Sequence, residues 1–310
     1  MGSLPRRAPV AMLASLLLIV TGVPAHGQES GMPQPERAWA FAVSATPVYQ
    51  GSADMDGGGS YRTVGVLLRL GMSGPIVERL RGGLVFSYDH RDAHFTTPRV
   101  FGGVAPWEAV QRIGIAAPLS LGLADGWRVG VTPSLDSFRE DAASWGSSLI
   151  YGGTVAVTKT LSGGARFGLG GGIFGGLNKL TGFPLIVVDL PITARLRLTN
   201  PLTAGPTGPA GLELSYRLDG GWSLGVAGAY RSYRFRLNEA GPFANGVGEE
   251  RGAPLVLHLA KRFDPHITVD LYAGAVVGGW MRVEDSGGNK IAAADFDPAP
   301  IVALTLSGTF

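Results

Sequence analysis

Apolar and polar residues alternate one by one over long stretches of this chain, and this period of two constrains the fold more than any other feature. The clearest stretch begins at Ile186, from which apolar side chains occupy every second position through Leu198. Asp189, Arg195 and Arg197 fall between them. Residues at i, i+2 and i+4 of a β-strand lie on one face of the sheet. The alternation therefore predicts strands with one apolar face and one charged face.

Two architectures give every strand an apolar face: a soluble β-sandwich and a membrane β-barrel. The strand patterns here run for about 9 to 15 residues, which suits a tilted bilayer crossing better than the roughly 5 or 6 residues of a sandwich strand. Trp222 and Tyr230 bracket one such pattern, as the aromatic girdles of a membrane barrel would. We therefore predict an all-β fold, a transmembrane antiparallel up-and-down β-barrel.

The number of strands follows from counting the repeats of this pattern. The pattern occurs near residues 38–49, 60–70, 82–90, 109–122, 127–137, 147–160, 165–178, 184–198, 209–218, 222–237, 250–263, 267–282 and 299–310. These are thirteen segments, an odd number, whereas single-chain bacterial barrels have an even number of strands. The conflict lies between residues 165 and 218: either one segment there does not cross, or the proline-rich stretch from Thr199 to Ala210 hides an irregularity. We predict about 12 strands.

The beginning of the chain has the form of a secretory signal peptide. Arg6 and Arg7 precede an apolar stretch from Val10 to Val23, and small residues follow it. The predicted organisation is a signal peptide over 1–27, a short segment over 28–37 and an outer-membrane barrel over 38–310. Without the two leader arginines, basic residues equal the 24 acidic ones, which argues against a nucleic-acid partner. The chain has no cysteine, which excludes disulfides and thiolate sites.

The end of the chain carries a second targeting pattern. The last predicted strand alternates apolar and small polar residues and stops on an aromatic residue, with the apolar positions at Val302, Leu304, Leu306 and Phe310. This resembles the β-signal of bacterial outer-membrane proteins. The resemblance implies a location in the bacterial outer membrane, with the barrel-assembly machinery as a partner during biogenesis.

Short motifs suggest relatives. From about Thr46 to Phe310 the chain resembles a family of Gram-negative outer-membrane β-barrels of unknown function. The matching motifs are Pro106-Trp107, Phe183-Pro184-Leu185-Ile186, Phe235-Arg236-Leu237-Asn238, Asp285-Ser286-Gly287-Gly288 and Asp297-Pro298-Ala299-Pro300. The stretch from Pro47 to Asp54 is similar to the start of the MltA-interacting, OmpV-type barrels. Neither resemblance implies catalytic residues.

Charged side chains fall on the face opposite to the apolar one, which is the lumen face of a barrel. The lumen-lining candidates are Arg112, Arg128, Asp136, Arg166, Asp189, Arg195, Arg197, Glu213, Arg217, Arg231 and Asp270. The arginines outnumber the carboxylates in this set. Either they form a paired network that fills a narrow barrel, or they line a passage that favours anions.

Histidines are the residues from which a catalytic or metal site would be built. His90 and His94 flank Asp92 in a predicted surface loop, with no helix to bring them to one metal ion. A lipid-modifying enzyme would need a Ser/His pair at the membrane-facing rim. His258 falls instead on the inward face, and His266 in a tight turn. We therefore predict no metal, no cofactor and no catalytic residue.

These expectations give two function classes and a weaker third. The first is an outer-membrane barrel with a structural or interaction role, or a narrow passage. The alternative is a porin-like channel for small solutes with a mild anion preference. A lipid-modifying enzyme is the least supported. The expected partners are outer-membrane lipid, the assembly machinery and small solutes, with no nucleic acid.

Overall fold

The computed structural model describes residues 39–200, 205–208 and 210–310. The predicted signal peptide over 1–27 and the segment 28–37 lie outside the described residues. Within the described part a single antiparallel sheet contains seventeen strand segments. They are β1 Ala40–Asp54, β2 Ser60–Val77, β3 Leu80–Thr96, β4 Ala109–Ala116, β5 Leu119–Gly122, β6 Trp127–Glu140, β7 Leu149–Thr160, β8 Arg166–Gly176, β9 Lys179–Pro191, β10 Leu196–Thr199, β11 Gly211–Arg217, β12 Trp222–Ala229, β13 Arg231–Arg236, β14 Val247–Arg262, β15 Ile267–Glu284, β16 Lys290–Phe296 and β17 Ala299–Thr309.

The sheet closes on itself. β1 pairs with β2 on one side and antiparallel with β17 on the other, in a register that sets Ala42 opposite Thr309. The backbone groups of Phe41 and Phe310 complete this seam by exchanging both of their hydrogen bonds at 2.8 Å. The first and last strands therefore have no free edge, and the architecture is a closed antiparallel β-barrel.

Seventeen segments make fourteen crossings, because three crossings are interrupted. β4 and β5 both pair with β3 and β6, with Pro118 in the gap between them. β16 and β17 both pair with β15, with Pro298 in their gap. A proline has no N–H to give to the ladder, which explains two of the breaks. β12 and β13, which both pair with β14, are separated at Tyr230.

The prediction of about 12 strands is wrong, and the alternation that began at Ile186 is the reason. β9 ends at Pro191, the chain turns over residues 192–195, and β10 returns beside β9 with Leu198 opposite Leu190. The interval between residues 165 and 218 thus holds four strands, and the count becomes even. Ile192 and Ala194 lie in this turn, are exposed and continue the alternation of apolar residues. The sequence pattern therefore does not show that the chain reverses direction here.

The two ends of the barrel differ in their connections. One end, called here the short-turn end, carries the turns at residues 78–79, 123–126, 161–165, 192–195, 218–221 and 263–266, together with the residues that begin β1 and end β17. The other, the long-loop end, carries the connections at residues 55–59, 97–108, 141–148, 177–178, 200–210, 237–246 and 285–289. The tight turns around Asp125, Gly163 and Gly220 therefore share one end.

Exposed apolar side chains form a belt on the outer wall. On β14 the outward positions Leu255, Leu257 and Leu259 are exposed, and they alternate with buried inward residues. Cation–aromatic pairs bound the belt: Lys261 lies 5.0 Å from the Trp222 ring at the short-turn end, and Arg251 lies 4.9 Å from Trp280 towards the long-loop end. The stretch from Arg251 to Lys261 spans roughly 25 Å for a strand tilted by about 40°, which is the height of a membrane barrel's apolar band.

Candidate functional site: a closed lumen

A single carboxylate joins opposite parts of the wall. Glu250 on β14 is only 2% exposed and accepts a hydrogen bond of 2.6 Å from the Tyr61 hydroxyl on β2. Arg91 on β3 donates to both of its oxygens, at 2.8 and 3.0 Å. The Arg231 guanidinium on β13 lies 3.8 Å away and donates to Gln50 on β1. These five residues are called the Glu250 clasp below.

The clasp crosses the lumen, because its members lie on strands that are not neighbours. Between β3 and β14 the sheet order places β2, β1, β17 and β15. The Tyr233 ring on β13 reinforces the crossing, with the Arg91 guanidinium 4.3 Å and the Arg231 guanidinium 5.5 Å from its centroid. Two arginines therefore share one carboxylate and one aromatic ring in the interior.

Aromatic side chains close the same region beside the clasp. Phe235 on β13 makes an edge contact with Trp107 at 5.1 Å and a tilted contact with Phe138 on β6 at 5.5 Å. Trp107 comes from the 97–108 loop and also meets Phe95 on β3 edge-on at 5.4 Å. β13 even forms a parallel bridge with β6, with Arg236 opposite residue 139. The end of the β13–β14 hairpin thus reaches across the barrel to the far wall.

Below the clasp, towards the short-turn end, polar groups pair along the wall. Arg112 on β4 donates to Asp136 on β6 at 2.9 Å, and its guanidinium lies 3.5 Å from Asp89 on β3. Asp89 in turn pairs with Arg69 on β2. These four residues sit on consecutive crossings, so they form a ladder around the wall and not a bridge across the lumen.

A second polar group centres on His258 of β14. Its Nδ1 lies 2.7 Å from Glu213 on β11, and its Nε2 lies 2.9 Å from Asp270 on β15. The ring stacks on Tyr272 at 4.4 Å. Glu213 reaches past β12 because Gly225 has no side chain; a Cβ there would lie 3.0 Å from the carboxylate. One imidazole therefore bridges two buried carboxylates, which is an arrangement that suits a protonated histidine.

The structure places the lumen-lining candidates in two groups. Six are buried or paired on the inner wall: Arg112, Asp136, Asp189, Glu213, Arg231 and Asp270. Arg197 joins them through a bidentate contact with Asp189 at 2.7 and 2.8 Å. The remaining four lie towards the short-turn end, with Arg166 half-buried and the others exposed: Arg128, Arg166, Arg195 and Arg217.

Arg195 illustrates why that second group differs. It lies in the turn between β9 and β10 and pairs with the exposed Asp219 at 3.2 Å. The sequence pattern had placed it on a lumen face, and this expectation is wrong because residue 195 is not in a strand. An exposed ion pair of this kind contributes little to stability.

Sequence reasoning missed the clasp. Glu249 and Glu250 are adjacent acids in a region where the apolar alternation weakens, so no face could be assigned to either. Tyr61 lies at the start of β2, and its contact with Glu250 joins positions 189 residues apart in the chain. The only available signal was the density of arginine, tyrosine and phenylalanine between residues 230 and 236.

The structure places two of the histidines differently from the prediction. His90 and His94 lie on β3, not in a surface loop, and His90 Nε2 is 3.2 Å from Asp92. β3 ends at Thr96, whereas the sequence pattern predicted an end near residue 90, because the strand continues beyond the apolar belt. Within the described part of the chain, no grouping of three or more His, Asp or Glu residues is arranged to hold a metal ion.

The interior space is small where the clasp forms. A cavity of about 20 Å³ is lined by Gln50, Thr63, Arg91, Arg231 and Tyr233, among others. This volume holds about one water molecule. Among the described residues, no helix is long and apolar enough to span a membrane.

Comparisons with known proteins find similarity in structure and not in sequence. No protein-family model matches the chain, and no curated protein matches it, so the two family resemblances drawn from short motifs have no support there. An outer-membrane channel of Pseudomonas putida F1 aligns over 90% of this chain and 100% of its own, with a TM-score of 0.46 and 13% identity. A FadL homologue of Pseudomonas aeruginosa aligns over 87% and 89%, with a TM-score of 0.41 and 12% identity.

The translocator domain of the autotransporter NalP from Neisseria meningitidis is a third similar structure. It aligns over 87% of this chain and 88% of its own, with a TM-score of 0.36 and 10% identity. Structural similarities with TM-scores and sequence identities this low do not support an inference about ligands or mechanism. The functional interpretation therefore rests on the geometry of the chain itself.

Proposed function

We propose that this chain spans the bacterial outer membrane as a barrel of fourteen crossings. A closed sheet satisfies all of its backbone hydrogen bonds internally, as lipid requires. The exposed belt through Leu257 and its cation–aromatic borders fit the hydrocarbon layer and its two interfaces. Short turns face the periplasm in such barrels, so the long-loop end faces the exterior.

The function that the lumen supports best is a narrow passage that rests closed. The observation that carries this proposal is the Glu250 clasp, in which Tyr61 on β2 and Arg91 on β3 donate hydrogen bonds to a carboxylate on β14. β14 is not adjacent to either strand in the sheet. Tyr61, Arg91 and Arg231 all contact this one carboxylate, so removal of the carboxylate breaks all three contacts at once. With two arginines sharing one carboxylate, an opened passage would favour small anions.

A second candidate is a barrel with a structural or interaction role and no passage. The observation in its favour is the burial below the clasp, where Asp136, Asp270 and Thr305 are all at most 2% exposed. Inner-wall groups so poorly exposed indicate a lumen filled by protein. Neither candidate involves chemistry, and we propose no enzyme activity.

Conductance in planar bilayers separates the two candidates. The unmodified barrel should be silent for most of the record, whereas Glu250→Ala should produce frequent openings. Glu239→Ala, which removes an exposed acid from the neighbouring 237–246 loop, is the matched control and should behave like the unmodified protein. Gel migration with and without boiling shows whether each variant is a folded barrel. A folded but silent Glu250→Ala barrel would favour the structural role.

A further inference from the structure

The inner wall of the barrel becomes exposed towards the short-turn end. Asp136 on β6 and Glu213 on β11 are buried on this wall. Arg128 lies on the same face as Asp136, and Arg217 on the same face as Glu213, yet both arginines are exposed. The lumen is therefore closed at the height of the buried acids and open to solvent near the short turns.

Five inward positions near the short turns are occupied by arginine. Each arginine lies an even number of residues from a buried inner-wall residue of its own strand, so its side chain is on the lumen face. They are Arg81 on β3, Arg128 on β6, Arg166 on β8, Arg217 on β11 and Arg262 on β14. These five residues are called the mouth arginines below.

Few acids balance this charge on the inner face. Within the described residues, the inner-face carboxylates nearest to the mouth are Asp189 on β9 and Asp270 on β15. Arg197 donates to Asp189 at 2.7 and 2.8 Å, and His258 lies 2.9 Å from Asp270, so both acids are already paired. Three mouth arginines form no ion pair in the described part of the chain: Arg166, Arg217 and Arg262. The mouth therefore carries an excess of positive charge.

Two arginines lie beside a single acid on one side of the mouth. Arg166 is directly opposite Asp189 in the β8–β9 ladder. Side chains at directly opposed positions lie about 5 Å apart at Cβ. Because Arg197 also binds Asp189, this part of the wall has two guanidinium groups for one carboxylate.

Two further arginines flank Ser223 on β12. Arg217 is directly opposite Ser223 in the β11–β12 ladder. On its other side Ser223 is opposite Ala260, and Arg262 lies two residues beyond Ala260 on the same face. Ser223 is half-buried, so solvent reaches the wall between these two guanidinium groups.

Hydroxyl groups occupy many of the inward positions between the arginines. They belong to Ser120, Thr158, Thr160, Ser215, Ser223, Thr268 and Ser307. A hydroxyl donates a hydrogen bond to an anion, and a guanidinium presents paired N–H groups that match the oxygens of a carboxylate, phosphate or sulfonate. The inner face of the mouth therefore has the chemistry to bind small oxyanions.

The turns around the mouth carry charge of the opposite sign. Their exposed acids are Glu78, Asp125, Asp219 and Asp264. Their arginines are Arg79 and Arg195, of which Arg195 is paired with Asp219. A large acidic surface that docked on this end would meet the acids of the turns before the mouth arginines, and like charges disfavour such a contact. A small anion that enters between the turns meets the arginines directly.

We propose that the short-turn end of the lumen is a vestibule that concentrates and binds small oxyanions from the periplasmic side. A cleft lined by one sign of charge, with low-dielectric walls, raises the local concentration of its counter-ions. The Glu250 clasp lies deeper in the lumen, so anions collect in the vestibule while the barrel is shut. Only the periplasmic side of the vestibule rests on the proposed membrane orientation; the binding depends neither on that orientation nor on a passage.

Charged thiol reagents measure the sign of the field in the mouth, because the chain has no native cysteine. Purified Ser223→Cys barrels in non-ionic detergent are labelled at low salt with an anionic sulfonatoethyl and a cationic trimethylammonioethyl methanethiosulfonate. The ratio of the anionic to the cationic rate should exceed that of Ser162→Cys by about tenfold or more. Ser162 is the control, because it is exposed in the 161–165 turn, which holds no charged residue.

Salt provides a second measurement on the same barrels. At about 1 M salt the Debye length falls to about 3 Å, so the two ratios should converge. Equal ratios for Ser223→Cys and Ser162→Cys at low salt would overturn the proposal, and so would a difference that salt does not reduce.

Variants locate the charge that acts on Ser223→Cys. Arg217→Gln with Arg262→Gln should lower the rate ratio to that of Ser162→Cys. Both arginines are exposed, so the barrel should still fold, which gel migration checks. Lys261→Gln removes a neighbouring cation from the outer face beside Trp222 and should leave the ratio unchanged. An unchanged ratio in the folded double variant would contradict the proposal.

Competition separates oxyanion binding from a general field. At constant ionic strength, phosphate or citrate should slow the anionic reagent at Ser223→Cys more than chloride does, with no such difference at Ser162→Cys. Equal protection by chloride would overturn oxyanion binding, and protection by an acidic peptide alone would assign the mouth to a protein partner. A failure of the proposed passage looks different, because a silent Glu250→Ala barrel leaves these labelling rates unchanged.

Discussion

Arg91 on β3 donates to Glu250 on β14 at 2.8 Å, although β2, β1, β17 and β15 lie between those two strands in the sheet. A contact between distant strands of a closed sheet passes through the lumen. The same carboxylate also accepts from Tyr61, and Arg231 lies beside it. The interior is therefore held together at this height by charge pairs, and not by apolar packing alone.

The Arg91–Glu250 pair should be strongly coupled in stability. Glu250→Ala should lower the free energy of unfolding by about 3 to 5 kcal/mol, because it leaves two buried arginines without their acid. Arg91→Met should cost less, since Arg231 and Tyr61 still serve Glu250. Urea unfolding in detergent measures both variants and the double variant. Costs that simply add would show that the two residues do not interact.

His258 should be more important for stability than for any chemistry. His258→Ala leaves Glu213 and Asp270 facing each other across the vacated space, so about 3 to 5 kcal/mol should be lost. His266→Ala is the control, because His266 lies exposed in the 263–266 turn. The measurement is the urea midpoint. Equal and small effects at both histidines would contradict the described network.

The face assignment predicts a depth-dependent cost on β14. Leu257 lies in the middle of the outer belt, where an arginine should cost about 2 to 4 kcal/mol in lipid. Phe263 is exposed at the short-turn border, where Phe263→Arg should cost about 1 kcal/mol or less. Folding into vesicles at a series of urea concentrations gives both values. A sandwich with a solvated outer face would tolerate both changes.

The last residue should matter for assembly more than for stability. Phe310 is 68% exposed, stacks on His266 at 6.3 Å and closes the seam through its backbone. Phe310→Ala should therefore reduce the amount of barrel that reaches the outer membrane in cells, while refolding in detergent changes little. Phe263→Ala, another exposed aromatic residue at the same end, is the control. An equal loss for both variants would remove the predicted role of the terminal residue.

The class of fold could be predicted from the sequence because the period-two signal is local. It identified most crossings, including β4 with β5 and β12 with β13, which are single crossings broken in the middle. It failed at β9 and β10, since apolar residues continue through the 192–195 turn and nothing in the alternation marks the reversal. Pro191 was the one available sign that the strand ends there.

The inner wall was predictable in part for a similar reason. Alternation assigned Glu213 and Asp270 to the inside, because each is flanked by outward apolar neighbours. It could not show that Glu250 meets Arg91, since that contact depends on which walls of a closed sheet face each other. Nor could it show that Arg234, Arg251 and Arg282 share Glu249, because that register depends on the bulge at Gly278.

Thiol labelling tests the central claim most directly, and the absence of native cysteine makes each introduced one the sole target. Glu239→Cys lies exposed in a long loop, Asp125→Cys lies exposed in a short turn, and Thr63→Cys lies in the small cavity beside the clasp. With a membrane-impermeant maleimide on intact cells, only Glu239→Cys should react. In purified barrels Asp125→Cys should react as well, and Thr63→Cys should remain protected. Rapid labelling of Thr63→Cys would contradict the closed lumen, and labelling of Asp125→Cys on intact cells would contradict the orientation.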